Sequence, residues 1–165
     1  MKIELKKFNS HIGKLEYEMY QEIPKYENGA VNTAYNMTYD EFKEFIMDTI
    51  EEESTVFNMF STPRITYILY IDDYPVGEIK IRPLLNQYWY ERSGNIGYKI
   101  RPSERGKGYG NIILEEGLKI AREYSLTEVF VQCNKDNIIS SKCILKNNGE
   151  LILDENDILR YKITL

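Results

Sequence analysis

Arg105-Gly106-Lys107-Gly108-Tyr109-Gly110 packs two cations and three glycines into six residues. The stretch follows an apolar alternating run, Asn95-Ile96-Gly97-Tyr98-Lys99-Ile100, and opens a helical pattern that continues from Asn111 to Tyr124. A strand that turns through glycines into a helix N-terminus aims several backbone N–H groups at one point, with little side chain in the way. The helix dipole and those unpaired N–H groups both favour a phosphate-like anion. Arg105 and Lys107 add positive charge at the same place. A Cβ at Gly106, Gly108 or Gly110 would obstruct the anion or strain the turn. Tyr109 and Asn111 lie in the first turn and would contribute backbone N–H groups. The order is Arg-x-x-Gly-x-Gly, which lacks both the Gly-Lys-Ser/Thr of a Walker loop and the Gly-x-Gly-x-x-Gly of a dinucleotide fold. The same six residues also fit a glycine-rich loop that caps a surface helix, with Lys107 as plain solvated charge.

A second polar block, Cys133-Asn134-Lys135-Asp136-Asn137-Ile138-Ile139-Ser140, precedes Lys146-Asn147-Asn148-Gly149. Asn137 suits a helix N-cap, and Ser140 lies one turn further on. Cys133 and Cys143 fall in or beside regular elements without metal-ligand spacing. With one histidine, His11, no zinc site is expected, and both thiols read as buried groups in a reducing compartment. Glu78 and Glu91 are candidate bases, and Tyr161 on the last strand is a candidate acid. With 14 tyrosines in the chain, spacing alone singles out none of them. Tyr88, Trp89 and Tyr90, with Tyr98, fit an acceptor pocket that holds a cation on aromatic faces, or packing against the first two helices.

These residues need elements to hold them. Lys2–Phe8 alternates as a strand, and Ser10 to about Ile23 reads as a helix stopped by Pro24, with a loop at Asn28-Gly29. Thr38-Tyr39-Asp40-Glu41 is a capping box before a helix with Phe42, Phe45, Ile46 and Ile50 on one face. Arg64–Ile71 and Val76–Arg82 form a hairpin around Asp72-Asp73. Pro83 to Ser93 reads as an aromatic-rich loop. Next come a strand over 95–100, a helix over 109–124, a strand Val129–Cys133 and a short helix near 138–147. Glu150–Leu153 and Ile158–Leu165 close the chain as two strands around Glu155-Asn156-Asp157. Strands in a meander and then alternating with helices give an α/β (α+β) fold, with a mixed, mostly antiparallel central sheet covered by helices on both faces.

The length of 165 residues suits a single domain spanning 1–165. No stretch approaches the ~18 uninterrupted apolar residues of a membrane helix, and the charged N-terminus has no signal-peptide apolar region. A cytoplasmic protein without a membrane partner is expected. Residues 1–61 carry a net charge of −6 and residues 62–165 a net of +1. That asymmetry argues against nucleic acid, which wants a basic face, and mildly favours a cationic, amine-bearing partner. Glu51, Glu52 and Glu53 also fit a solvated acidic helix end.

From Ile96 to Gly110, Ile-Gly-Tyr-x-Ile-Arg-Pro-Ser-x-Arg-Gly-Lys-Gly-Tyr-Gly resembles motif A of the GCN5-related N-acetyltransferases, the GNAT family. The block from Cys133 to Ser140, with Lys146 to Gly149, looks like that family's Asn-x-x-Ser/Ala…Lys-x-Gly segment. The element order is also the family's β-α-α-β-β-β-α-β-α-β-β. Arg82-Pro-Leu-Leu-Asn86 and Leu159-Arg-Tyr-Lys-Ile163 are similar to a bacterial subgroup of predicted acetyltransferases. The resemblance covers about residues 64 to 165 and implies an acetyl-CoA-dependent N-acetyltransferase without a metal.

In that family the strand before the glycine loop splays from the next strand, and the pantetheine arm lies in the gap. Tyr98, Lys99 and Ile100 are then the edge residues that pair with it. Arg105, Gly106, Lys107, Gly108, Tyr109, Gly110 and Asn111 would hold the pyrophosphate, and Asn137 and Ser140 would flank the coenzyme arm. Arg105 would both bind the coenzyme and brace the loop. Many members place an acid tyrosine seven residues after the matching asparagine, where this chain has Ile144. That departure leaves Tyr161 as the substitute acid and keeps open a CoA-binding sensor or a non-catalytic module. The acceptor is an amine on a small molecule or a protein, and members of this fold often form homodimers.

Overall fold

A computed structural model describes residues 1–165. In chain order its elements are β1 (Ile3–Lys7), α1 (Lys14–Glu22), β2 (Tyr26–Glu27), β3 (Ala30–Val31), α2 (Tyr39–Glu51), β4 (Ile65–Ile71), β5 (Tyr74–Ile81), α3 (Gln87–Arg92), β6 (Ile96–Ile100), α4 (Tyr109–Glu123), β7 (Glu128–Asn134), α5 (Ile138–Lys146), β8 (Glu150–Glu155) and β9 (Ile158–Thr164). Seven strands form one sheet in the order β1-β4-β5-β6-β7-β9-β8. Every neighbouring pair is antiparallel except β6–β7, which is parallel.

Two hydrophobic layers sandwich the sheet. On one face, residues of β4 to β7 and β9, among them Ile79, Ile81, Ile96 and Val131, pack against Ile113, Leu114 and Leu118 of α4 and Ile144 of α5. Gly117 permits the close approach of α4, since a Cβ there would come within 2.3 Å of the Ile79 side chain. On the other face, Met19 and Tyr20 of α1, Ile23 just after it, and Phe42, Phe45 and Ile46 of α2 cover Ile68 and Tyr70. Thr38 caps α2 as its sequence requires, accepting from the Glu41 amide while Glu41 reaches back to the Thr38 amide. Glu4 and Lys6 of the edge strand β1, with Lys2 just before it, form an ionic row that blunts edge-to-edge pairing. No helix is long and apolar enough to cross a membrane.

Three elements differ from the sequence reading. Helix α1 begins at Lys14 rather than near Ser10, because Glu16 caps the Gly13 amide. The expected loop at Asn28-Gly29 is the turn of a two-stranded hairpin, β2–β3; both turn residues have positive φ, as a type I′ turn demands. The 83–93 segment is not all loop. It contains α3, capped by Asn86, whose carbonyl oxygen accepts from the Trp89 amide at 2.9 Å. Its aromatics pack, but not on α1 and α2. Tyr88 meets Phe60 edge-on, and Tyr90 meets Phe130 of β7.

Candidate functional site

Strands β6 and β7 are joined at a single point. Ile96 pairs with Val131, and the Asn95 amide donates to the Phe130 carbonyl at 2.8 Å. Beyond Ile96 the two strands part, while β6 stays paired with β5 along its length. The β5 bonds fall on every second residue, fixed by Arg82 N–H to the Asn95 carbonyl and Arg101 N–H to the Val76 carbonyl. Tyr98 and Ile100 therefore turn their backbone groups into the gap, and Lys99 turns its own toward β5. Of the three expected edge residues, two face the gap and the middle one does not, because strand amides alternate.

The gap leads into the glycine loop. Gly106 and Gly108 have φ of +76° and +83°, a region that L side chains rarely adopt. A Cβ at either would meet nothing within 4 Å, so both face open space. Gly108 is the N-cap of α4 and lends no side-chain cap. The amides of residues 106–110 have no hydrogen-bond partner in the protein, whereas those of Asn111 and Ile112 donate to the Gly108 carbonyl. Five free donors at the positive end of a 15-residue helix make an anion cradle.

The charged side chains here are not idle. Arg105 donates through Nε to the Ile100 carbonyl at 3.0 Å and grips Glu27 of β2 through both terminal nitrogens, at 2.8 and 2.6 Å. Lys107 pairs with Glu104 at 2.9 Å. The Glu22 carboxylate at the end of α1 accepts from Arg101 and from the Ser103 amide. Burial works to raise that carboxyl, but Ser103 and Arg101 outweigh it and hold it below its ordinary range. Two acidic residues on α1 and β2 thus clamp the start of the loop. The β2–β3 turn crosses the splay, with the Gly29 Cα hydrogen side facing Asn134 at the end of β7; a Cβ there would stand 3.1 Å from Asn134 Oδ1.

Behind the gap lies α5. Asn137 caps it, accepting from the Ser140 amide at 3.2 Å. The Ser140 hydroxyl stands 3.1 Å from the Tyr98 hydroxyl, which spans from β6 to α5. Burial pushes the Tyr98 hydroxyl well above its ordinary range against the opposing hydrogen bond of Ser140, with lesser help from the nearby Cys143 and Cys133 thiols. Asn111 spends its side-chain carbonyl on Asn147 at 3.0 Å, tying α4 to α5. Tyr161 is 2% exposed beneath α5 and bonds Ser141 at 2.6 Å. Ile144 is fully buried in the core. Burial raises both the Cys133 and Cys143 thiols.

On the opposite face of β6 is an open cleft. Its floor is Gly97, exposed, where a Cβ would meet nothing within 4 Å. One side is α3 and the end of β7, held together by Gln132 donating to the Arg92 carbonyl. The other side is a buried ionic group on β5. Glu78 lies 3.1 Å from Lys99 Nζ and 3.8 Å from Lys80 Nζ, and it accepts the Tyr20 hydroxyl from α1. Burial alone would raise the Glu78 carboxyl; Lys80 and Lys99, with Tyr20, outweigh it and hold it down to about 2. Glu78 is therefore an ion-pair anchor and a poor base, which corrects the sequence expectation. Glu91 is exposed and accepts from Gln87 on its own helix at 2.7 Å. Sequence reasoning passed over Glu27, Lys80 and Arg82. The alternation Glu78-x-Lys80-x-Arg82 carried the signal, since three charged residues on one face of a central strand need a reason.

The family model described as the acetyltransferase (GNAT) family matches residues 30–149. Among solved structures, the chain is similar to the N-acetyltransferase PseH of Campylobacter jejuni in complex with acetyl coenzyme A, at 17% identity over 99% of both chains and a TM-score of 0.66. It is also similar to the ribosomal-protein alpha-N-acetyltransferase RimL in complex with coenzyme A, at 14% identity over 100% of this chain and 95% of that one, with a TM-score of 0.73. A GNAT-family acetyltransferase of Streptococcus pneumoniae gives 12% identity over 99% and 100%, with a TM-score of 0.68. No curated protein sequence matches.

Proposed function

Because the chain belongs to the GNAT acetyltransferase family, we propose that it is an N-acetyltransferase that moves the acetyl group of acetyl-CoA to an amine. The observation that carries this reading is the single-point junction of β6 and β7 opening onto five unpartnered amides at residues 106–110. An extended chain of amides fits the unpaired backbone groups of Tyr98 and the Ile100 amide, as a peptide adds to a sheet edge, while the Ile100 carbonyl is held by Arg105. A pyrophosphate fits the cradle beyond, and the structure of PseH with acetyl coenzyme A supports the same ligand here. Arg105 serves this site by holding the loop and the β2–β3 turn together.

Transfer proceeds by direct attack. The neutral amine nitrogen, arriving from the Gly97 side, attacks the thioester carbonyl carbon; the C–N bond forms, the C–S bond breaks, and sulfur leaves with the electron pair. The amine gives up one proton to solvent or a base, and the thiolate takes one. A covalent route would need an activated cysteine. Cys133 is instead buried and Cys143 half-buried, and burial raises both thiols. The testing experiment is a transfer assay against a panel of amines, run for the wild type and a Cys133→Ala, Cys143→Ala double variant. The expected result is an N-acetylated product, with most of the rate kept in the double variant. No product from any amine despite tight CoA binding would favour a sensor, and an acetyl-cysteine adduct chased by amine would overturn direct attack.

Two hydroxyls compete for protonating the thiolate. Tyr161 is the sequence candidate, but its hydroxyl is committed to Ser141. Tyr98 also meets a serine, Ser140 at 3.1 Å, and burial makes it a weaker acid than an ordinary tyrosine, but it stands on the strand that borders the gap, so position makes it the better-placed donor. Tyr98→Phe is expected to lower kcat about a hundredfold, the low end of the usual contribution of a general acid, with CoA affinity little changed. Tyr161→Phe is expected to change kcat less than threefold, an effect on the order of that of one neutral hydrogen bond. Steady-state kinetics with parallel CoA calorimetry separates them, and the reverse ranking returns the role to Tyr161.

A further inference from the structure

The cleft over Gly97 holds more positive charge than its own carboxylates neutralise. Pairing of β4 with β5 puts Thr66 opposite Lys80, and pairing of β5 with β6 puts Lys80 opposite Gly97. Arg64 and Arg82 lie at the neighbouring positions on the same face. Arg64 has a partner, donating from Nε to Glu52 at 2.8 Å. Lys80 has only Glu78 at 3.8 Å, and Glu78 is already held by Lys99 and Tyr20. Arg82 is 5% exposed and makes no ion pair; the carboxylate that acts on it from farther off, Glu52, is already paired with Arg64. Its guanidinium lies 3.9 Å from the centre of the Trp89 ring and donates to Ser93 Oγ at 3.3 Å, while its Nε has no partner. The Thr66 hydroxyl, 2% exposed, has none either.

A buried guanidinium without a counter-ion is costly, and so is a buried hydroxyl without a partner. Proteins keep such groups where a ligand completes them. On the reading of the protein as an N-acetyltransferase, we infer that its amine acceptor also carries an anionic group, a carboxylate or a phosphate, held by Arg82 and Lys80 beside Gly97. Neighbouring strands lie about 5 Å apart, so an anion over Lys80 leaves an amine one or two bonds away within reach of the edge of β6. The acidic N-terminal segment suggested a cationic acceptor. Locally that charge is consumed: Glu52 is paired with Arg64 and Glu53 with Lys7.

Trp89 is the chain's only tryptophan, and its stacking on Arg82 makes its fluorescence a direct reporter. Protein saturated with CoA, so that the cradle is filled, is titrated with inorganic phosphate and separately with acetate, against sodium chloride at equal ionic strength. The expected result is a saturable change in Trp89 emission with at least one of the two anions and none with chloride. Phosphate alone identifies a phosphate site, and acetate alone a carboxylate site. Arg82→Met should abolish the response, and Lys80→Met, at a less buried position, should weaken it at least fivefold. CoA affinity measured by calorimetry should stay within twofold in both, which shows that they fold. Normal CoA binding with no saturable response, or with the same response in a folded variant, overturns the anionic acceptor site. A wild type that fails to bind CoA overturns the acetyltransferase reading itself.

Discussion

Gly108→Glu is expected to lower CoA affinity at least a hundredfold while the fold survives. Gly108 has φ of +83° and caps α4 without a side chain. A non-glycine residue in that conformation costs about 1–2 kcal/mol of backbone strain, which an otherwise intact domain tolerates. The larger effect falls on the ligand. A Cβ at this position enters open space rather than protein, so the new carboxylate extends into the cradle formed by the amides of 106–110. Two like charges about 4 Å apart repel by about 4 kcal/mol at an effective dielectric near 20, and a pyrophosphate brings more than one. Gly108→Ala carries the strain without the charge and should lose only about tenfold. Calorimetric titration of CoA, with circular dichroism and thermal melts of both variants, provides the check. Equal affinity in the wild type and in a folded Gly108→Glu would remove the loop from the coenzyme site.

The glycine loop was readable because its chemistry is local. Positive φ, backbone donors and a helix start are all properties of consecutive residues, and so are the Thr38–Glu41 capping box and the Asp72-Asp73 and Asn156-Asp157 turns. The β6–β7 splay was legible only through resemblance to a family, since nothing in Ile96–Ile100 says which neighbour it will leave. Arg105 marks the limit. Its charge beside the glycines pointed to a phosphate, yet its guanidinium is bonded to Ile100 and Glu27, and the Glu27 partner sits 78 residues earlier in the chain. Long-range pairing of that kind leaves no periodic trace. The same holds for Asn111 with Asn147 and for Tyr161 with Ser141. Helix α3 was missed for a different reason: six residues rich in aromatics have weak helix propensity, and the Asn86 cap with Trp89 donating to the Phe60 carbonyl supplies what propensity does not.

Glu78→Ala is expected to destabilise the protein by about 3–5 kcal/mol, the usual result of removing one partner from a buried ion pair. The carboxylate lies between Lys99, Lys80 and the Tyr20 hydroxyl and is 2% exposed. Its removal leaves the mostly covered Lys99 without a counter-ion and Tyr20, packed among α2 aromatics, without an acceptor. The pair as a whole need not be stabilising, because its desolvation offsets much of its attraction. A Glu78→Met, Lys99→Met double variant is therefore expected to recover most of the loss, although the Tyr20 hydroxyl still lacks its acceptor and keeps about 1–3 kcal/mol of it. Acid dependence gives an independent reading of the same group. The Glu78 carboxyl is held down to about 2 in the folded protein, against ~4.3 for an ordinary glutamate. Its contribution is present above the unfolded value and is lost as pH falls from there toward 2. Urea unfolding at a series of pH values should show wild-type stability dropping across that window, with a shallower drop in both Glu78 variants. Equal slopes would mean that Glu78 titrates normally in the folded state, and it would then regain its claim as the general base beside the Gly97 cleft.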